Sequence, residues 1–310
     1  MGRIRVVSSL LFLAMLVHAV SAQQPLPANS LRFDGKTLLR DIEILSADNM
    51  EGRKIGSAGI EKARAFLLER FARIGLRSFN GGYLQRFGYK GKLAGANVVG
   101  YIPGSQQPDK YLIVTAHYDH LGIRDDKIYN GADDNASGTA AILALAEYFR
   151  KNRPANSIIF AAFDGEETGF LGSKRFVQEP PVDLQSIVIN VNLDMISRSV
   201  ENELFVVGTA KYPFLTTYVD EVGRNSGIKL VRGHDGTRKG EDDWTKQSDQ
   251  YPFHKKDIPF LYFGVEDHVD YHKPTDDFEN IDKAFYVQAV GTVLDTVILL
   301  DKNLGMTREK

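Results

Sequence analysis

The order of hydrophobic and polar residues predicts alternating strands and helices through most of the chain. Apolar runs at residues 111–116, 157–163 and 187–193 predict buried strands, and the Ala-rich segment 137–150 predicts a helix. Further predicted helices are 36–46, 60–74, 173–178, 213–225 and 281–300, and further predicted strands are 83–87, 97–101, 204–207, 228–231 and 259–263. This alternation indicates an α/β fold, in which a mixed, largely parallel central sheet is covered by helices on both faces.

A short apolar segment stands at the start of the chain. Basic residues within Met1–Arg5 precede an apolar run from Val6 to Val20, and the small residues Ser21 and Ala22 follow. This order is typical of a secretory signal peptide, and the run is shorter than the ~20 residues that span a membrane. A buried N-terminal helix is the alternative. We therefore expect residues 1–22 to be removed, export to the periplasm or the medium, and no stable membrane span after cleavage.

The composition limits the partners and the chemistry. The chain has 310 residues, no cysteine, and 38 Lys plus Arg against 40 Asp plus Glu, without a long basic run. The lack of clustered positive charge argues against a nucleic-acid partner. Without thiolates, any metal must be held by histidine and carboxylate side chains. Residues 23–310 are expected to form a single domain, and a monomer is the default expectation.

Acidic residues and histidines recur where the predicted strands end, and in such sheets the ligand site lies beyond the carboxyl ends of the strands. Each cluster alone has an ordinary explanation, such as a surface His-Asp pair, an Asx-rich helix cap or a solvated Glu-Glu turn. Together they predict one site, since they follow successive strands. Imidazole and carboxylate donors suit two zinc ions that share a water, so the pattern predicts a metal-dependent hydrolase. The candidate residues are His117, Asp134, Glu166, Glu167, Asp194 and His272.

These motifs resemble those of the M28 family of zinc aminopeptidases, and they occur in the same order along the chain. The resemblance covers nearly the whole predicted mature chain and implies a zinc-exopeptidase-like, three-layer α/β/α fold. The family often inserts a large accessory domain before the first zinc ligand, and none is expected here because the segment 91–110 is too short for one. One departure is visible in Ser248-Asp249-Gln250, where Gln250 replaces the histidine of a family motif and puts the shape of the pocket in doubt. The matching segments are Glu51-Gly52-Arg53, Gly56-Ser57, Ala116 to Gly122, Gly131 to Gly138, Glu166 to Gly169, Leu193 to Met195 and Asp270 to Asp276.

The resemblance implies a metal site with two Zn²⁺ per chain. Asp134 would bridge the two ions, His117 and Asp194 would complete one site, and Glu167 and His272 would complete the other. An alignment shifted by one residue would exchange Asp133 with Asp134. The remaining histidines, for which no zinc role is expected, are ordinary hydrogen-bonded or exposed side chains in this interpretation: His120, His234, His254 and His268.

The catalytic residues implied by the resemblance are three. Glu166 would act as general base on the water shared by the two ions, Asp119 would orient His117, and Tyr271 would donate a hydrogen bond to the developing oxyanion. The leading function is an aminopeptidase that hydrolyses the N-terminal bond of peptides with a free N-terminus. The alternatives are a glutaminyl cyclase, a carboxypeptidase or dipeptidase with Arg53 or Arg198 as a possible substrate anchor, and a catalytically inactive binding module on the same fold.

Overall fold

The strands form one eight-stranded sheet and one small hairpin, in a computed structural model that describes residues 32–79, 81–236 and 242–303. The predicted signal peptide, residues 1–22, lies outside the described residues. The strands are β1 Leu84–Tyr89, β2 Lys92–Ile102, β3 Gln107–His117, β4 Gly122–Arg124, β5 Lys127–Tyr129, β6 Asn156–Phe163, β7 Ile187–Leu193, β8 Glu203–Val207, β9 Lys229–Arg232 and β10 Phe260–Gly264.

The sheet is parallel at its centre and mixed towards its edges. Its strand order is β1-β2-β6-β3-β7-β10-β8-β9, and the four central strands β6, β3, β7 and β10 pair in parallel. Strands β1 and β2 add to one side in antiparallel pairings, and β8 joins β10 antiparallel on the other side. The prediction of a mixed, largely parallel central sheet is therefore confirmed.

Helices cover both faces of the sheet. Alternate residues of β3 show this directly, because Leu112 and Val114 pack with the large core on one face while Ile113 packs with the smaller core on the other. Helices α1, α2, α3, α5 and α7 contribute to the large core, and α4 and α6 contribute to the smaller one. The helices are α1 Gly35–Leu45, α2 Ala58–Ile74, α3 Gly138–Lys151, α4 Leu171–Gln178, α5 Thr216–Asn225, α6 Gln250–His254 and α7 Lys283–Asn303.

Local sequence signals explain where α2 begins and ends. The Ser57 hydroxyl accepts a hydrogen bond from the backbone N–H of Ile60 at 3.3 Å, which caps the first turn. Gly75 follows the last turn with φ 80°, a left-handed conformation that glycine adopts without steric cost. The helix therefore stops where its glycine predicts.

Helix α7 is long and apolar enough to cross a membrane by length and composition, and 72% of its most apolar window is buried inside the protein. It packs beside α1 and α5 in the large core, with Val290, Val293 and Val297 fully buried. Its apolar surface therefore serves the protein core, as expected for the closing helix.

The hairpin β4–β5 and the short helix α6 were not predicted, because segments of three to five residues carry too little periodicity to stand out. The hairpin changes one expectation about the site. Asp134 follows β5 and precedes α3, so it does not lie at the end of a strand of the main sheet. The prediction that every candidate cluster follows a strand of one sheet is wrong for this residue.

Candidate metal centre

Three neighbouring strands deliver the first candidate residues to one edge of the sheet. His117 is the last residue of β3, Asp194 directly follows β7, and Glu166 and Glu167 follow the end of β6. Because β6, β3 and β7 are adjacent and parallel, their carboxyl ends meet. The side chains therefore converge as the sequence predicts.

The loop that carries Asp134 is fixed from two directions. The carboxylate of Asp276 accepts the backbone N–H groups of Asp133 and Asp134 at 2.9 and 3.0 Å. The side chain of Asn135 donates to the backbone oxygen of Leu193 at 2.9 Å and accepts from the N–H of Gly138 at 2.9 Å. The loop is thereby tied to β7 on one side and to the start of α3 on the other.

The two carboxylate oxygens of Asp134 face different partners. Its Oδ1 lies 3.4 Å from His117 Nε2, which is also 3.1 Å from Asp194 Oδ1. Its Oδ2 lies 3.1 Å from His272 Nε2, which is also 3.6 Å from Glu167 Oε2. Asp134 therefore stands between two groups of donors, as a bridging carboxylate must.

Glu166 and His120 complete these two groups. A carboxylate oxygen of Glu166 and the donor atoms of His117 and Asp194 all lie within 4.8 Å of one another. Donor atoms of His120, Asp134 and Glu167 form a second set within the same limit. His120, for which no place in the centre was expected, is thus a residue that the sequence analysis missed. Its position three residues after His117, just beyond the end of β3, is the signal that was available.

The neighbouring acid, Asp133, faces away from both groups. Its Oδ1 accepts the backbone N–H of Ser197 at 2.7 Å and the Ser197 hydroxyl at 2.8 Å, and its Oδ2 lies 3.0 Å from His268 Nε2. The structure thus places Asp134, and not Asp133, between the donor groups.

Asp119 contacts His117 differently from the expectation. The Nδ1 atom of His117 lies 3.1 Å from the backbone oxygen of Asp119, and the carboxylate Oδ1 is farther away at 3.7 Å. The same Oδ1 accepts the backbone N–H of Glu166 at 3.0 Å. The main chain of Asp119 therefore orients His117, while its carboxylate holds the backbone of Glu166.

Tyr271 is partly buried beside the second donor group. Its ring stacks on the His272 ring, with centroids 3.9 Å apart and an interplanar angle of 24°. Burial, together with the nearby Asp134 and Asp194 carboxylates, raises the pKa of Tyr271 well above its ordinary value. Its hydroxyl consequently keeps its proton and is a hydrogen-bond donor.

The charges of the centre call for a cation. Although burial acts in the opposite direction, the Asp194 and Glu166 carboxylates raise the pKa of His117 well above its ordinary value. Hydrogen bonds to Asp134 and Glu167 likewise outweigh burial and raise the pKa of His272 to about 10. Buried carboxylates at this density need positive charge nearby. A divalent ion would supply it, and the imidazoles would bind such an ion as neutral donors.

Both arginines that were considered as substrate anchors have partners within the chain. The buried guanidinium of Arg53 donates to the backbone oxygens of Leu45, Tyr118, Asn130 and Gly131 at 2.5–2.9 Å. Arg198 forms an ion pair with Asp270. Both arginines therefore have structural partners within the chain.

Three further histidines for which no zinc role was expected, His234, His254 and His268, have ordinary partners within the fold. His234 stacks on Trp244 with centroids 3.6 Å apart, and His254 Nδ1 lies 2.7 Å from the Tyr212 hydroxyl. His268 contacts Asp133. Each of these three rings thus serves the surrounding fold.

Gln250, which stands in place of a family histidine, is fully buried beside the centre. Its Nε2 donates to the backbone oxygen of Trp244 at 2.7 Å, and its Oε1 accepts from Asn192 Nδ2 at 3.1 Å. These bonds tie β7, two residues before Asp194, to the segment around Trp244. The substitution therefore affects the wall of the centre rather than its donors.

The three-layer α/β/α fold, with histidines and carboxylates at the carboxyl ends of its central strands, is similar to the folds of solved zinc-dependent exopeptidases. The chain belongs to peptidase family M28, because the profile described as "Peptidase family M28" matches residues 97–297. It is 30% identical over 260 residues to aminopeptidase YwaD of Bacillus subtilis. That match covers 78% of this chain and 51% of the relative, so the chain spans about half the length of the relative.

Solved structures agree with this assignment. A glutaminyl cyclase from Porphyromonas gingivalis superposes with a TM-score of 0.72 at 18% identity, covering 86% of this chain and 99% of that chain. BSAP, a zinc aminopeptidase from Bacillus subtilis, superposes with a TM-score of 0.68 at 20% identity, covering 86% and 95%. At such identities these similarities establish the fold, and the predicted family and fold class are confirmed.

Proposed function

We propose that the chain is an exported aminopeptidase that uses two zinc ions to hydrolyse the N-terminal peptide bond of peptides. The observation that carries the proposal is the position of Asp134, whose two oxygens face separate sets of histidine and carboxylate donors. The similarity to aminopeptidase YwaD supports the same activity. Export rests on the sequence of residues 1–22, with the periplasm or the medium as the destination.

The donor atoms fit zinc in type and number. His117, Asp134 and Asp194 would hold one ion, and Asp134, Glu167 and His272 would hold the other. Three protein donors for each ion leave a position open for water and substrate, which is the property that separates catalytic from structural zinc sites. A binding module without activity would have no need of this open position or of Glu166.

Bound zinc supplies an electrophile for the carbonyl oxygen and lowers the pKa of water to about 7. Glu166 then takes one proton from the attacking water and transfers it to the nitrogen of the departing amine as the carbon–nitrogen bond breaks. Asp119 holds the backbone of Glu166 in place through the bond at 3.0 Å. The protonated hydroxyl of Tyr271 donates to the oxygen that becomes negative in the tetrahedral intermediate.

The similarity to aminopeptidase YwaD favours substrates with a free amino terminus. Of the two arginines considered as anchors for a terminal carboxylate, Arg53 is buried and donates to backbone oxygens, and Arg198 pairs with Asp270. We therefore prefer the aminopeptidase over the carboxypeptidase and dipeptidase alternatives.

The test is to incubate the zinc-loaded protein with a peptide that starts with glutamine and to follow the products by mass spectrometry. An aminopeptidase releases free glutamine, and chelation of zinc abolishes the release. An N-acetylated copy of the peptide is the matched control and is expected to stay intact. A loss of ammonia, about 17 mass units, would identify a glutaminyl cyclase instead, and release of the C-terminal residue would identify a carboxypeptidase. Either result would contradict the proposal.

A further inference from the structure

His120 is a buried imidazole that touches the centre without belonging to the proposed ligand set. Its side chain is fully buried, and its Nδ1 atom lies 2.8 Å from Glu167 Oε1. An ionised carboxylate only accepts hydrogen bonds, so Nδ1 carries the proton and donates it. The contact is therefore a directed hydrogen bond from an imidazole to an expected zinc ligand.

The distance separates this contact from a pair of ligands on one ion. Donors at about 2.0–2.1 Å from a tetrahedral zinc lie roughly 3.4 Å from one another. The four histidine–carboxylate distances within the two expected ligand sets are 3.1–3.6 Å. His120 Nδ1 itself lies 3.6 Å from Asp134 Oδ2. The 2.8 Å between His120 and Glu167 is the length of a charge-assisted hydrogen bond.

The ring of His120 is held in this orientation by its surroundings. Gly131 packs against it so closely that an added Cβ would lie 2.5–2.6 Å from two ring carbons, and only glycine fits there. The backbone N–H of His120 donates to the oxygen of Arg53 at 3.3 Å, and Arg53 in turn bonds the backbone oxygen of Gly131. The donor atom is thus directed at Glu167 by the fold around the ring.

We propose that His120 is a positioning residue that binds Oε1 of Glu167 and so directs Oε2 towards His272 and the second zinc. The proposal rests on the function proposed above. Zinc-binding histidines are usually held by a carboxylate behind them. Here the order is reversed, and an imidazole stands behind a carboxylate ligand.

The experiment measures zinc binding to the metal-free protein by competition with a chromophoric chelator, which resolves the two equivalents without using activity. His120→Ala is expected to weaken the affinity for the second equivalent of zinc about 10–100-fold, which is the usual effect of losing such a hydrogen-bond partner of a ligand. The affinity for the first equivalent is expected to stay nearly unchanged. His120→Asn is expected to restore most of the affinity, because its Nδ2–H group takes the place of Nδ1–H. His254→Asn, whose ring contacts Tyr212 away from the centre, is the matched control.

Three outcomes would overturn the proposal. The first is that His120→Ala binds both equivalents as tightly as the parent. The second is that His120→Asn is as weak as His120→Ala, because the ring would then act as a ligand or as packing. The third is that the parent binds fewer than two equivalents of zinc. That result would contradict the two-zinc centre as well, whereas the first two outcomes would contradict only the role of His120. Should His120→Ala fail to fold, His120→Gln, whose amide lies one bond farther out, replaces it in the comparison.

Discussion

Glu166→Gln is expected to reduce kcat for hydrolysis of an amino acid amide about 10²–10⁴-fold while both zinc ions stay bound. Glutamine has nearly the same shape as glutamate but cannot accept the proton of the attacking water. The carboxylate of Glu166 lies within 4.8 Å of the donor atoms of His117 and Asp194, which is the place for a base acting on water at the first ion. Burial, with the charges of Asp194 and Asp249, raises the pKa of Glu166 although His117 opposes it. A raised pKa makes the carboxylate a stronger proton acceptor.

Steady-state kinetics and zinc analysis of the same preparation check this result. Glu279→Gln is the matched control, because Glu279 is exposed and lies in a short turn before α7. It is expected to keep both the rate and the zinc of the parent. If Glu166→Gln turned over substrate within about tenfold of the parent, Glu166 would not be the base. If it lost zinc, Glu166 would be a ligand.

Arg53→Met is expected to destabilise the fold by several kcal/mol. Its guanidinium is buried and satisfies four backbone oxygens, on Leu45, Tyr118, Asn130 and Gly131. Methionine fills part of the volume and donates to none of them. The Gly131 oxygen also accepts the Ala136 N–H and keeps that partner, so the count of orphaned acceptors leaves it out. Each buried acceptor left without a partner costs roughly 1–3 kcal/mol, a large share of the stability of a typical domain, about 5–15 kcal/mol.

Urea unfolding of the metal-free protein measures this loss without a contribution from zinc. Arg53→Lys keeps the charge and three of the donors, so an intermediate stability is expected. Arg73→Met is the control, because Arg73 is exposed and forms a surface ion pair with Glu69, and its effect is expected to stay within about 0.5 kcal/mol. A free energy of unfolding for Arg53→Met within about 1 kcal/mol of the parent would show that these four bonds do not hold the loops together.

The strands of the central sheet could be predicted because burial on both faces leaves a continuous apolar run. Residues 187–193 were predicted as a strand and form β7 over that same range. The convergence of His117, Glu167 and Asp194 followed from strand direction alone, since parallel neighbours end at one edge. These features depend on local periodicity, which the sequence displays.

The supporting contacts could not be predicted because they depend on how distant loops meet. Arg53 bonds a backbone oxygen 77 positions away, at Asn130, and nothing in the segment around Arg53 indicates which carbonyls it meets. His120 contacts Glu167, which lies 47 positions further along the chain, and the ring of His120 packs against Gly131. The backbone oxygen of Asp119 contacts His117, and its carboxylate accepts the backbone N–H of Glu166. This arrangement also depends on how distant loops meet. The signal peptide and the single domain stay predictions from sequence.

The central claim is that Asp134 joins two zinc ions, and anomalous diffraction at the zinc absorption edge from crystals of the zinc-loaded protein tests it most directly. We expect two peaks, one beside His117 and Asp194 and one beside Glu167 and His272, with an oxygen of Asp134 facing each. A single peak, a peak at Asp133, or no peak among these side chains would contradict the claim.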